Sequence, residues 1–449
     1  MRMPAVLDNT VYILNEYIRE SVPFHMDLIR GDNLSAFTRL RCVTPSLILL
    51  QMLNRKGLTQ WAETEDFLNR MKDLNITDKG FFTARRKFNP EAVHVMSNEF
   101  IANIYDNYDE SIQKFNDLVV LATDGSKITI PDTKQNEELF GRQKGNSKDN
   151  TQPVMALIST LHDCLNNLKL DVIVGPVNDS EHRMASLHVK YYCANYSQKA
   201  LFIYDRGYVL IRLMDQIIEE KQYFLMRARS VDFRKYFEQI EIGEDRTFDV
   251  TYDTASSNMH RDDKAFRQHL LSTVFRLRFA KLVIGADEEG NDIVEYLITN
   301  LPEEQYTSEQ LKELYWCRWN TETSYNRLKN RMKLEEFSGY SPELILQDIY
   351  ADAWMYNIVA LKLIEAEEKK PLKERDGEYS VRRNFNKTIG TLKMYLLKSL
   401  LASDEERTAL MKKIDDNISA AVCWVKKENR QFERKHPVNK SAISYRKTY

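Results

Sequence analysis

Residues 118–126 read Leu-Val-Val-Leu-Ala-Thr-Asp-Gly-Ser, an unbroken apolar run that ends in an acid and a glycine. A run of this length suits a strand buried on both faces. The same pattern returns at Ala200 to Tyr204, which runs into Asp205-Arg206-Gly207-Tyr208. Working outward, Thr123 to Ser126 is expected to turn and Lys127 to Ile130 to alternate as a second, half-exposed strand. Residues 153–162 and 168–175 are expected as two further strands joined at Asn166-Asn167. A helix over Glu181–Asn195 capped by Ser180, a helix over 209–220 and a strand over 223–228 complete the series. Strands in sequence followed by alternating helix and strand predict an α/β fold, a mixed sheet flanked by helices.

The 449 residues exceed what one core holds, so several units are expected. Residues 1–112 are almost wholly helical by pattern, with a helix start at Asn89-Pro90-Glu91. They carry two basic clusters, Arg39-Leu40-Arg41 and Thr83-Ala84-Arg85-Arg86-Lys87, which suit either a DNA-binding module or the solvated faces of a bundle. Residues 113–332 form the α/β unit, interrupted at about 232–300 by a β-rich insertion. In it, Phe275, Leu277 and Phe279 alternate with Arg276 and Arg278, and a turn is expected over Glu288–Asn291. Residues 333–449 return to helix, with a loop over Lys369–Arg383 and a tail from Trp424 to Tyr449 that has eight Lys or Arg against two Glu.

A hydrophobic content of 43%, a charged content of 29% and a net charge of −2 describe a soluble protein with no global field for nucleic acid or anionic lipid. Any such binding must come from local patches. The five cysteines are scattered without a Cys-x-x-Cys pair, which argues against a zinc site or a disulfide framework. No apolar run approaches membrane-spanning length and no signal segment is present, so a cytoplasmic location is expected. His182 and His188 fall on one helix and are expected to be structural.

The chemistry centres on three acids. Asp124 and Asp205 each follow a buried strand, at the end of the sheet where α/β folds place ligands. The third lies in Tyr306–Met332, expected as one uninterrupted helix opened by a capping box at Thr307 and Gln310. At about 100° per residue, Tyr315, Arg318, Glu322 and Lys329 share one stripe. Taken alone, that stripe suits a solvated ion-paired face. Three carboxylates converging without Cys or His favour Mg²⁺ or Mn²⁺, and two such ions can activate a nucleophile on phosphorus and stabilise the leaving oxygen.

Asp124-Gly125-Ser126, Asp205-Arg206-Gly207-Tyr208 and Tyr315-x2-Arg318-x3-Glu322-x6-Lys329 resemble the DDE insertion-sequence transposases with the YREK signature. The resemblance covers roughly residues 80–360 and includes Tyr296–Pro302, similar to the strand leading into that family's Glu helix. It implies an RNase H-like catalytic domain in which Asp124, Asp205 and Glu322 bind two divalent ions. It implies that Tyr315, Arg318 and Lys329 contact phosphates of the element's terminal inverted repeats, near a flipped base. The implied reaction is DNA cleavage at the element's ends and attack of the 3′-hydroxyl on target DNA, within a synaptic homodimer and through a hairpin intermediate. Residues 230–300 contain no Trp, which departs from the family's use of an insertion Trp to stack on displaced DNA. Tyr252, Phe275 and Tyr296 are the alternatives, each also suited to core packing. The basic loop at 140–148 offers Arg142, Lys144 and Lys148 to the DNA backbone, or is a solvated hairpin. Two other functions stay open: an RNase H-like nuclease or resolvase without strand transfer, and a DNA-binding derivative that has lost catalysis.

Overall fold

The two apolar runs become neighbouring parallel strands. The computed structural model describes residues 7–39, 41–69, 76–143, 152–286, 290–373 and 378–426. Strands β1 (Val119–Thr129), β2 (Met155–Asp163) and β3 (Leu168–Pro176) are consecutive and antiparallel. β4 (Ala200–Tyr204) and β5 (Tyr223–Ala228) add on the other side of β1, parallel to it. This strand order is the one expected of the RNase H-like sheet that the resemblance implies. The expected turn at Thr123–Ser126 is absent. β1 runs straight through it, paired to β2 from Leu121↔Asp163 to Thr129↔Met155. Gly125 serves a close approach instead, because a Cβ there would lie 2.8 Å from Cδ of Glu181.

The β-rich segment is not a separate layer. β6 (Asp245–Thr251), β7 (Val274–Ala286) and β8 (Asp292–Thr299) extend the same sheet, in the order β3-β2-β1-β4-β5-β8-β7-β6. β8 joins it antiparallel to β5, from Leu225↔Thr299 to Ala228↔Tyr296. Phe275, Leu277 and Phe279 are buried as their alternation requires. Arg278, expected on the polar face with Arg276, is buried too, ion-paired with Asp245 at 2.7 Å. Residues 287–289 of the expected turn lie outside the described residues.

Helices α1 (Thr10–Phe24), α2 (Met26–Arg30), α3 (Pro45–Leu53), α4 (Gln60–Leu68), α5 (Asp78–Arg85) and α6 (Pro90–Asn107) precede the sheet, and Asn89 caps α6 as expected. Within the sheet's connections lie α7 (Lys134–Phe140), α8 (Glu181–Asn195), α9 (Ile211–Glu219), α10 (Arg234–Phe237) and α11 (Lys264–Ser272). Ser180 caps α8 through the Arg183 N–H. The expected helix over Tyr306–Met332 is broken. Its capping box is present, but α12 (Ser308–Trp316) stops before Cys317-Arg318, α13 (Trp319–Asn326) resumes, and a π turn covers Arg327–Arg331. Last come α14 (Pro342–Lys369), α15 (Phe385–Leu401) and α16 (Asp404–Ala420), with a small hairpin of β9 (Tyr379–Arg383) and β10 (Val422–Lys426).

The apolar core divides by sheet face. A large cluster runs from Leu7 in the N-terminal region through one face to Ile418 in α16. A small one on the other face holds Val120, Ala122, Leu201, Ile203, Leu225 and Leu297 against Leu311, Leu314 and Tyr315. The buried helix α14 seals the N-terminal helices to the sheet, packing on α3, α6 and β3. It also carries Asp348 and Asp352, which hold two buried guanidinium groups. Arg85 pairs with Asp348 at 2.5 Å and bonds Gln51, Gln347 and Ser338, and Arg55 pairs with Asp352.

Candidate active site

Strand alternation selects the face. Val120 and Ala122, like Leu201 and Ile203, point into the small cluster, so the next residues of the same parity, Asp124 and Asp205, emerge on that side. Pairing of β1 with β4 runs from Val119↔Ala200 to Ala122↔Ile203. Extending this register by two residues sets Asp124 beside Asp205, roughly one strand spacing apart. β4 ends there and β1 continues, which opens the gap that α12 and α13 roof over.

The roof brings the rest of the sequence motif to both acids. The Tyr315 hydroxyl donates to Oδ1 of Asp205 at 3.2 Å. Arg318, buried at the break between α12 and α13, donates to Oε1 of Glu322 at 3.1 Å, with side-chain exposures of 5% and 42% for the pair. Its charge acts on Asp124 and Asp205 as well, so one guanidinium serves all three acids. Lys329, in the π turn, donates to the carbonyl of Lys127 on β1 at 2.7 Å. The break also leaves Trp316 and Trp319 exposed, their rings 6.1 Å apart and the Arg318 guanidinium 5.2 Å from that of Trp319.

Electrostatically the two aspartates differ. Burial pushes the Asp124 carboxyl up to about 6, and the charges of Glu181 and Glu322 add to it, against the Gly125 N–H and Arg318. Burial acts the same way on Asp205, yet the Arg206 N–H, Arg318, Arg227 and the Tyr315 hydroxyl together hold it below the ordinary carboxylate range.

The profile of the transposase DDE domain matches residues 116–358, more than half of the chain. The chain belongs to the transposase DDE domain family. The transposase for insertion sequence element IS421 of Escherichia coli is 37% identical over 70 residues, 15% of this chain and 17% of that relative. InsL of insertion sequence element IS186A of Escherichia coli strain K12, described as a transposase of that element, gives the same figures. The match thus spans about a sixth of the length of these curated relatives. Among solved structures, the piggyBac transposase synaptic complex with hairpin DNA aligns over 93% of this chain and 87% of that one, at 12% identity and a TM-score of 0.43.

Membership of the DDE family implies a divalent metal ion, and the residues fit one. The donors are carboxylates alone, the hard oxygen ligands that Mg²⁺ and Mn²⁺ take. Burial raises the Asp124 carboxyl, and a cation bound there would relieve that cost. Among the described residues one set of three potential ligands closes to within 4.8 Å, and it lies elsewhere: Asp215, Glu219 and His269 on α9 and α11. Asp124, Asp205 and Glu322 share the charge of Arg318 without being drawn into so tight a cage.

Two residues of this site carried no sequence signal. Glu181, the first residue of α8, accepts from the Tyr208 hydroxyl at 3.0 Å and bears on Asp124. Its position marks a helix start and nothing more. Glu295 on β8 pairs with Arg227 on β5 at 3.2 Å beside Asp205. Only the pairing of β8 with β5 brings them there.

Arg142 is taken up by Asp132 at 2.6 Å and Glu137 at 2.8 Å, so the loop's first cation is already paired. Lys144 and Lys148 lie outside the described residues, as does the tail from residue 427. Phe275 is buried, and Tyr252 and Tyr296 are half-buried in aromatic contacts with Phe275 and Phe237. His188 is structural, held by Asp171 at 2.8 Å and Ser159 at 3.0 Å. His182 bonds the Gly207 carbonyl. The described cysteines are free. No helix among the described residues is long and apolar enough to cross a membrane. The two basic clusters meet: Arg39, Arg41, Thr83 and Lys87 line one cavity of about 470 Å³, and no acid is among its described lining residues. Arg85, from the second cluster, faces the other way into the core.

Proposed function

We propose that this protein is the transposase of an insertion sequence, cutting DNA at the element's terminal inverted repeats and joining the 3′-hydroxyl ends to target DNA. The observation that carries the proposal is the register that sets Asp124 beside Asp205 under a roof supplying Glu322 and Arg318. Asp124, Asp205 and Glu322 would hold two Mg²⁺ or Mn²⁺ ions. Such ions supply activation of the attacking water or hydroxyl and stabilisation of the leaving oxygen.

The chain's own residues do the rest. Arg318 offers a planar fork to a phosphate and, until DNA arrives, offsets the repulsion among the acids. Tyr315 orients Asp205 through its hydroxyl and adds to the Arg206 N–H, Arg318 and Arg227 in holding its pKa down. Lys329 presents a point charge over the end of β1, so Tyr315, Arg318 and Lys329 fill the pattern of the YREK signature. The exposed Trp316 and Trp319 give an unpaired base a surface to stack on, taking the part that an insertion Trp plays in similar enzymes. The cavity holding Arg39, Arg41 and Lys87 takes duplex phosphates away from the acids, making residues 1–112 the DNA-binding region, with 113–332 catalytic and 333–449 helical support. Assembly is as a homodimer on paired element ends, in the cytoplasm and on the nucleoid.

The test is cleavage and strand transfer on duplexes carrying the repeats that flank the gene. The wild type is expected to yield joined products with Mg²⁺, and Asp124→Ala to bind DNA but cut nothing. Cleaved ends that are never joined would favour a nuclease or resolvase, and cutting by Asp124→Ala would remove the assignment.

A further inference from the structure

Behind Asp124 lies a buried cation that the proposed reaction does not use. Lys169, on β3, is fully buried, and lysine is almost never buried without an acid beside it. Among the described residues no carboxylate bonds its ammonium. Nζ donates instead to Oγ of Ser324 at 3.0 Å and towards Oγ1 of Thr160 at 3.4 Å, between the rings of Tyr325 and Tyr356 at 5.0 and 5.1 Å from their centroids. Its register partner on β2, His162, is buried with neither ring nitrogen hydrogen-bonded to a side chain among the described residues. Burial pulls the Lys169 ammonium down to about 7, and Asp124 is the charge that does most to restore it. A side chain so costly to bury is poor material for stability alone.

Each contact of Lys169 leads to a different part of the site. Ser324 stands two residues after Glu322 on α13. Thr160 is the cross-strand partner of Asp124. Tyr325, under the ammonium, donates its hydroxyl to the Asp124 carbonyl at 2.7 Å and to the Ile158 carbonyl at 3.2 Å. Lys169 therefore occupies the joint between the helix that carries Glu322 and the strand pair that carries Asp124.

We propose that Lys169 is a positioning residue: its buried amino group ties α13 to β2 and thereby sets the reach from Asp124 to Glu322. The proposal rests on the reading of these acids as metal ligands. It assigns a function to a buried lysine whose removal should leave the fold standing.

The test uses Lys169→Met, which keeps the length and apolar bulk of the side chain, and the milder Ser324→Ala, which removes only the acceptor. Mn²⁺ binding to the DNA-free protein is followed by the loss of its free-ion paramagnetic resonance signal, beside cleavage kinetics and thermal melting. Lys169→Met is expected to weaken Mn²⁺ binding and to lower kcat by about 10- to 100-fold. KM for DNA should stay within about two-fold and the melting temperature should hold or rise. Ser324→Ala should move in the same direction by less. Wild-type Mn²⁺ affinity and kcat in both variants would overturn the positioning role alone. A lower melting temperature with unchanged Mn²⁺ binding would also overturn it, making Lys169 structural. A wild-type protein that binds no Mn²⁺ would overturn both the role and the metal-ligand reading beneath it.

Discussion

Asp124→Asn should make the metal-free protein more stable. The Asp124 carboxyl is raised from 3.8 to about 6, chiefly by burial. At about 1.4 kcal/mol per unit, keeping it ionised costs the folded state roughly 3 kcal/mol near pH 7.5. The folded protein holds this proton more tightly than the unfolded chain, so the cost is fully present above the folded pKa. It is relieved as pH falls through 6 towards 4, to about 1 kcal/mol at pH 4.5. Asparagine keeps an oxygen for the Gly125 N–H, which Asp124 accepts at 2.9 Å, and carries no charge. Urea unfolding in EDTA should therefore show the variant more stable by about 2–3 kcal/mol at pH 7.5, with the gap closing to about 1 kcal/mol at pH 4.5. Added Mg²⁺ should reverse the order, because only the wild type gains binding energy from it. An Asn variant no more stable than wild type at pH 7.5, or a gap independent of pH, would refute the reasoning.

Three further outcomes are expected. Arg85→Met leaves Asp348 buried beside Arg55 alone and should lower the unfolding free energy by about 3–5 kcal/mol in urea titration; a loss below about 1 kcal/mol would mean that the network does not seat α5 on α14. Replacing Arg39, Arg41 and Lys87 together with Ala should weaken duplex binding and flatten the slope of log affinity against log salt by roughly two to three, with single-turnover cleavage at saturation unchanged. Tyr315→Phe removes a hydroxyl that lowers the Asp205 pKa, so Asp205 titrates higher and the acid limb of the pH–rate profile should move up in pH, with a loss of about 1 kcal/mol in transition-state stabilisation.

What could be read in advance followed from short-range pattern. The strands, the Ser180 and Asn89 caps and the Thr307–Gln310 box are local events, and each formed where its residues call for it. The acids were legible for a related reason: parity and equal distance from paired apolar residues put Asp124 and Asp205 on one face once β1 and β4 lie side by side. Misreadings arose where a distant partner overrode a local signal. Asp124-Gly125 has turn chemistry, yet β2 pairs straight past it and the glycine makes room for Glu181. Nothing in Tyr306–Met332 interrupts a helix, but burying Arg318 among three acids coincides with a break that no proline or glycine marks. Arg85 looked like a surface charge. Its spacing from Phe81 and Phe82 was the available clue, since all three share the buried face of α5. Period-two alternation announced β7 without saying that the insertion would join the catalytic sheet.

That junction bears on how force would travel in a nucleoprotein complex. Because β8 is hydrogen-bonded to β5, and β5 to β4, the insertion and the strand that ends at Asp205 are parts of one elastic plate with no hinge between them. A duplex pressing on β7 would be felt three strands away, at β4, as altered twist, and Arg227 with Glu295 sits along the route.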